Sequence, residues 1–467
     1  MKKFLTLSTS FTLLFCIAIA FNISPYLRGP APYPPDWRWD YQFINTFGKI
    51  WLPLLVAGAI IWLYREYETQ KRIPRLSLFV LLFFMFQLSV MYFQRAGIGV
   101  LLHRIIDPGL NGYFSSSLNI DPLSLFFKNY TKNVLSLYQH AKGHPPFAVL
   151  FFYVLNKIGY LFPSLNQLAN KVSPTNLDLK NIWFALTIQQ RVGALFSTIL
   201  IPFLSVLTII PLYKLVELLS GAKSAMRAIL LYMFVPSVTL FLPLNDVFLP
   251  IFTCWSLYFL VKGINKNSKR FLFFSGLIFS TSLLFSISSL PLLMVFAAVF
   301  YICKKKRFAI GMETSFLMGL LILPLSLFLF FGLNPMQLFK VLLTGLPPMR
   351  SYKTWVFFNL YDFFIFAGIP IFLAFFANTF ELIKKFKVYD LNINKVLSLS
   401  FAFMLILLDI LGSVRGEVSR IWLPFYPLVI IGAASFLKGF KTKDFIIITT
   451  LCVLQLLVMQ EFWVTLY

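Results

Sequence analysis

Apolar runs of roughly 17 or more residues follow one another along almost the whole chain, and about 20 such residues make a helix that spans a bilayer. A soluble core has no use for so many of them in series. Apolar residues make up 59% of the 467 and charged residues 12%, with a mean hydropathy of +0.80. The expected fold class is therefore an all-α polytopic membrane protein. About 13 transmembrane helices are expected, with one long outer loop that contains interfacial helices.

A net charge of +24 would suit a nucleic-acid binder, but its distribution argues otherwise. Most Lys and Arg stand in short loops between apolar runs, where positive charge marks the cytoplasmic side. REYETQKRIPR at 65–75 and KKKR at 304–307 are such loops. The charge is read as topology, and nucleic acid is excluded as a partner. The N-terminal MKKFLTLSTSFTLLFCIAIAFN combines two lysines with an apolar stretch, as a signal peptide does. It is read as an uncleaved first helix, because small residues for cleavage are sparse. Cys16, Cys254, Cys303 and Cys452 fall in or at the ends of separate apolar runs, without metal-type spacing, and are read as inert buried thiols.

Alternating the charged loops sets the orientation. Helices near 4–22, 48–64 and 76–94 lead to a polar interruption, residues 95–190. The apolar stretch 147–162 is short and interrupted by Asn156 and Lys157; it is expected to lie along or dip into the outer face without crossing. Later spans are expected near 191–213, 226–243, 247–262, 271–286, 288–302, 309–332, 359–377, 396–412, 420–437 and 444–460, with further outer loops at 333–358 and 413–420.

The interruption holds all three histidines, His103, His140 and His144. In HAKGHPPF, 140–147, two prolines open an apolar stretch, and proline is at ease at a helix start. Free N–H groups and the positive helix end there favour an anion. His140, Lys142 and His144 make a candidate phosphate clamp, or simply an interfacial anchor. In DPGLNGYF, 107–114, Asp107 follows a membrane exit and is a candidate general base, although Asp–Pro also starts ordinary turns. Asp121-Pro122 carries the same two readings, catalytic carboxylate or helix cap. Asp246 lies at a junction of two apolar runs, where an ionisable group is expensive and often functional; capping is the alternative. RGEVSR, 415–420, sets Arg415, Glu417 and Arg420 on a predicted outer edge. Arginine there runs against the positive-inside trend and suits bidentate phosphate binding, while a salt-bridged turn is the structural alternative. Asp36 and Asp40 form a lesser pair.

Taken in order, these pieces resemble the polytopic, lipid-linked-sugar glycosyltransferases of the GT-C superfamily, in particular those related to protein mannosyltransferases and aminoarabinose transferases. The resemblance rests on the exit helix 76–94, Asp107 with Tyr113, GHPPF at 143–147, QQRVGALFSTIL at 189–200, Asp246 at its helix junction, and GEVSRIWLPFYP at 416–427. It covers about residues 76–430. It implies a GT-C-like catalytic core over 76–263, an accessory helix pair over 1–75 and C-terminal transmembrane helices over 264–467. It further implies an integral enzyme that moves a hexosyl or pentosyl group from a polyprenyl-phosphate-linked donor to a lipid or glycan acceptor. The active site would face the extracytoplasmic side of the cell membrane, among membrane lipids, with inversion at the anomeric carbon. Asp107 or Asp121 would be the base, since relatives carry a paired Asp-Glu where this chain reads DPGLNGY. Asp246 would position acceptor or base. Tyr113, His140, Lys142, His144, Arg415, Glu417 and Arg420 would bind substrate. No cofactor is implied, and no ligand cluster in the sequence calls for a metal.

Two other functions share the many helices and outer cations. A flippase or transporter of a lipid-linked or anionic substrate would carry internal repeats and mid-membrane charges, neither of which is evident. A polysaccharide polymerase or ligase would rely mainly on outer-loop Arg and His.

Overall fold

The computed structural model describes residues 1–467 except 44, 71–74, 95–96, 121, 175–176, 305–310, 346–348, 388–390 and 466–467. Almost everything described is helix, as a chain surrounded by lipid requires, since a helix satisfies its own backbone. Among the described residues, the only sheet pairs Asp40–Tyr41 with Trp463–Val464, antiparallel. All four cysteines are buried.

Seven of the described helices are long and apolar enough to cross a membrane, and nine if two sharply bent pairs each count as one span. The other spans expected from sequence are shorter or broken helices. Expected 226–243 divides into Ala222–Met233 and Pro236–Leu240, because Pro236 has no N–H to continue the first helix. Expected 420–437 divides at Pro424 into Val418–Ile421, Leu423–Phe425 and Tyr426–Leu437. Expected 359–377 is two helices, Tyr352–Ala367 and Ile369–Lys384, meeting at 112°. Gly368, with φ +100°, makes that corner. The segment 147–162 becomes the helix Pro146–Ile158 and further short turns; Pro146–Leu161 meets Pro163–Lys171 at 92°. Expected 191–213 starts earlier, at Ile188, because Thr187 and Gln190 form a reciprocal capping box.

Small residues and side-chain hydrogen bonds hold the bundle together, as they do where lipid removes the hydrophobic drive between helices. Lys269–Phe285 and Met312–Phe331 cross glycine to backbone. A Cβ on Gly276 would strike the carbonyl of Phe316, and one on Gly319 the carbonyl of Phe273. Ser256 and Ser275 each donate to the other's carbonyl at 2.7 Å. On the other side, Gly193 and Gly159 let Pro146–Ile158 and the turn after it lie against Ile188–Val206, with Asn156 and Gln189 at the contact. Residues 224–250 are buried without interruption, so this stretch meets protein on every side and can carry Arg227 and Asp246 into the interior. Arg227 is spent at the end of Tyr426–Leu437, donating to the carbonyls of Leu437, Lys438 and Phe440.

Candidate active site

Three turns, widely separated in sequence, converge on one buried ionic cluster. The first is the single 3-10 turn Asn245–Phe248, which carries Asp246. The second is the 3-10 turn Gln139–Gly143 with His144 at its end. The third is Gly416–Arg420. Arg420 Nη1 donates to Asp246 Oδ2 at 3.0 Å, and both side chains are below 5% exposed. Arg420 Nη2 donates to Glu417 Oε2 at 3.1 Å and lies 3.3 Å from His140 Nδ1. His144 Nδ1 is 2.8 Å from the carbonyl of His140, to which it donates. That leaves His144 Nε2 facing Asp246 Oδ1 at 3.8 Å. The Tyr113 ring stands edge-on to His144, centroids 5.1 Å apart.

The backbone at Gly416-Glu417 is built for this cluster. Gly416 has φ +87° and Glu417 φ +58°, the left-handed region that a non-glycine residue enters only when its surroundings hold it there. Arg350 does the holding. Its Nη2 donates to Glu417 Oε1 at 2.7 Å and its Nη1 to the Arg415 carbonyl at 2.7 Å. A Cβ on Gly416 would collide with that guanidinium. The helix Tyr352–Ala367 fixes the rest of the turn. Asn359 accepts from Gly416 N at 2.9 Å, and Asp362 accepts from Ser419 N at 2.9 Å and from Trp39 Nε1 at 3.3 Å.

Burial and then the neighbouring Arg420 push His140 from 6.5 down to about 3. A neutral imidazole follows, able to accept from the guanidinium through Nδ1. Burial opposes charge on Glu417, but Arg420 and Arg350 outweigh it and bring the carboxyl from 4.5 down to about 2. Burial raises the Tyr113 hydroxyl well above 10, so it is a neutral donor. It is buried without a hydrogen-bond partner among the described residues. Buried polar groups are nearly always paired, so this hydroxyl, beside His144 and Arg420, is a donor that an acceptor group would satisfy.

Of the residues expected from sequence, Tyr113, His140, His144, Asp246, Glu417 and Arg420 come together here. Lys142 follows His140 on the same turn, half-buried. Arg415 turns away, donating to the carbonyls of Gly412 and Arg350 at 3.0 and 2.7 Å. Asp107 is not in the cluster's hydrogen-bond network. Its carboxylate is about a quarter exposed, 3.2 Å from His103 Nε2, and accepts from Gly109 N at 2.8 Å. It stands at the start of the turn whose far end is Tyr113. Asp121 lies outside the described residues. Asp36 accepts from Trp355 Nε1 at 2.8 Å, and Asp40 sits in the terminal sheet. Sequence reading missed Arg350, although it breaks the positive-inside trend as Arg415 and Arg420 do. It also missed His103, whose i, i+4 spacing to Asp107 was visible, and Asp362, hidden in an apolar helix. Among the described residues, no group of three His, Cys, Asp or Glu stands close enough to hold a metal ion.

Residues 181–332, about a third of the chain, match the model of the dolichyl-phosphate-mannose-protein mannosyltransferase family. The match supports a GT-C superfamily glycosyltransferase. Together with the apolar helices it indicates a multi-pass membrane enzyme. The matched stretch contains Asp246; the other members of the cluster lie outside it. No curated protein matches the chain.

Proposed function

We propose that this protein transfers a hexosyl or pentosyl group from a polyprenyl-phosphate donor to a hydroxyl acceptor on the extracytoplasmic face of the membrane. The observation that carries this reading is the ionic cluster with an unpartnered Tyr113 hydroxyl beside it. Arg420 and His144 bind the carrier phosphate, with the Tyr113 hydroxyl as a further donor and Lys142 at the approach. Arg420, whose Nη atoms reach Asp246, Glu417 and His140, offers the phosphate a fixed, delocalised positive charge rather than an empty fork. Asp246, Glu417 and Arg350 hold the Arg420 guanidinium in place, so it needs no reorganisation when charge develops on the leaving phosphate. Neutral His140 steadies it through Nδ1.

Asp107, paired with His103 and open to solvent on part of its surface, is the base. The acceptor oxygen attacks the anomeric carbon while the bond from that carbon to the phosphate oxygen breaks. The phosphate leaves with the electron pair, Asp107 receives the hydroxyl proton, and configuration inverts.

The test is transfer of radiolabelled sugar in membranes from a panel of polyprenyl-phosphate sugars. Asp107→Asn is expected to lower the rate by about 10²–10⁴, and Arg420→Lys by about 10²–10³. Transfer that survives Asp107→Asn moves the base to Asp121. If wild-type membranes transfer from no donor yet move the lipid across the bilayer, the flippase reading replaces this one.

A further inference from the structure

A second cavity, of about 490 Å³, opens in the polar region 95–190, bounded by Ser116, Asn119, Asn129, Tyr130, Asn133 and Tyr138 among others. Its wall is mixed, with Ile120, Pro122, Leu125, Phe126 and Leu137 apolar and the rest amide or hydroxyl. Carboxamides from three asparagines supply donors and acceptors together, and serine and tyrosine hydroxyls supply more. Among the described residues that line it, none is charged, in a chain whose net charge is +24. Asn129 and Asn133, one helical turn apart, share a face of the helix Leu123–Asn133. Phe127 packs that helix against the apolar cluster of Leu284, Leu327 and Leu338, and Tyr130 belongs both to that cluster and to the cavity wall. The helix is thus anchored through Phe127 and Tyr130 while Asn129 and Asn133 stay on the cavity wall.

The cavity wall and the ionic cluster share their framework. Tyr130 donates its hydroxyl to the carbonyl of His144 at 2.8 Å. Tyr138 N donates to Ser116 Oγ at 3.2 Å, and the Tyr138 carbonyl accepts from Ala141 N at 2.9 Å, inside the turn that carries His140. Gly112, immediately before Tyr113, lies so close to Tyr138 that a Cβ there would meet its carbonyl. The cavity wall is thus joined to His144 through Tyr130 and to Tyr113 through Tyr138 and Gly112.

We infer that this cavity binds the acceptor, and that the acceptor is a neutral glycan. Its volume suits one or two sugar rings, its amides and hydroxyls match a polyhydroxylated ligand, and the Tyr138 ring, half exposed, offers a face for sugar C–H groups. A phosphorylated or uronic acid ligand finds no countercharge among the described lining residues. This assignment rests on the transferase reading and narrows its acceptor class.

Binding of neutral trisaccharides of glucose, mannose and galactose to the full chain in nanodiscs, by titration calorimetry, is the test, with a glucuronate-containing trisaccharide as comparison. At least one neutral trisaccharide is expected to bind. Asn129→Leu with Asn133→Leu should weaken it at least about tenfold. Asn133→Asp, nearly the same shape but charged, should do likewise, which guards against misfolding of the double variant. The neutral glycan should be preferred over the acidic one. Failure of every neutral glycan to bind, binding that survives both variants, or equal binding of the glucuronate overturns the assignment. Donor turnover measured in the same preparation separates the two readings. Transfer from a polyprenyl-phosphate sugar without glycan binding removes the glycan pocket and leaves the transferase. Glycan binding with no transfer from any donor removes both the acceptor role and the transferase.

Discussion

Glu417 is the residue on which the cluster turns. It bridges two arginines from a left-handed backbone position, and its removal leaves Arg350 and Arg420 without a shared anion. Glu417→Gln is expected to lower stability by about 3 kcal/mol, as breaking a largely buried ionic contact does, read as a lower unfolding temperature in detergent. Unchanged unfolding would mean that the two arginines find other partners. The pH dependence follows from two groups with depressed values, and both act in one direction. Neutral His140 has its folded value moved from 6.5 to about 3, so the unfolded chain binds a proton first as pH falls below 6.5. Glu417, moved from 4.5 to about 2, contributes stability above 4.5 that is lost as pH falls towards 2. Stability should therefore decline in two stages on acidification, the first below about 6.5 and the second below about 4.5. His140→Asn removes the first stage and keeps the second; a single acid transition in the wild type would refute this assignment. The ion-pair partners of Arg420 were half legible in sequence. RGEVSR showed the charges, but nothing in it showed that Asp246, more than 170 positions earlier, would be the partner, because that contact belongs to no local period.

At the scale of elements, periodicity and punctuation were legible wherever the deciding interaction was local. The capping box at Thr187–Gln190 and the proline start of Pro146–Ile158 are such features. The breaks at Pro236, Gly368 and Pro424 had their residues in plain view. Hydropathy averaged over a window runs through a proline, and so three straight spans were expected where the chain bends. The reciprocal contact of Gly276 and Gly319 was not legible at all. Each is a lone glycine in an apolar run, and only the crossing of two helices makes them meet. Gly276→Leu is expected to lower stability by about 1–3 kcal/mol or more through overpacking, since its side chain would have to displace the backbone at Phe316 and Leu320. Thermal unfolding in detergent measures it, and a neutral result would mean that the two helices can part without loss.

For the whole molecule, an early and a late segment of the chain meet. The pairing of Asp40–Tyr41 with Trp463–Val464 joins them. Arg104, fully buried, donates to the carbonyls of Leu240, Leu242 and Thr465, tying the helix Gly99–Ile106 to both the approach to Asp246 and the end of the chain. Arg104→Met takes this donor from the buried carbonyls of Leu242 and Thr465, each lost contact worth about 1–3 kcal/mol, while Thr465 Oγ1 still reaches Leu240. Faster proteolysis after residue 440 is the expected outcome, and unaltered protection would show that the sheet alone retains the terminus. Sequence by itself determined that this chain is a helical membrane protein and which polar residues had to be explained, because lipid makes every buried charge costly and so conspicuous. Only the tertiary structure decided which of those charges meet, that Arg350 joins them and Arg415 does not, and that Asp107 pairs with His103 apart from their network. Such choices depend on how bent helices and glycine crossings bring distant turns together, and no short-range pattern encodes a distance across a bundle.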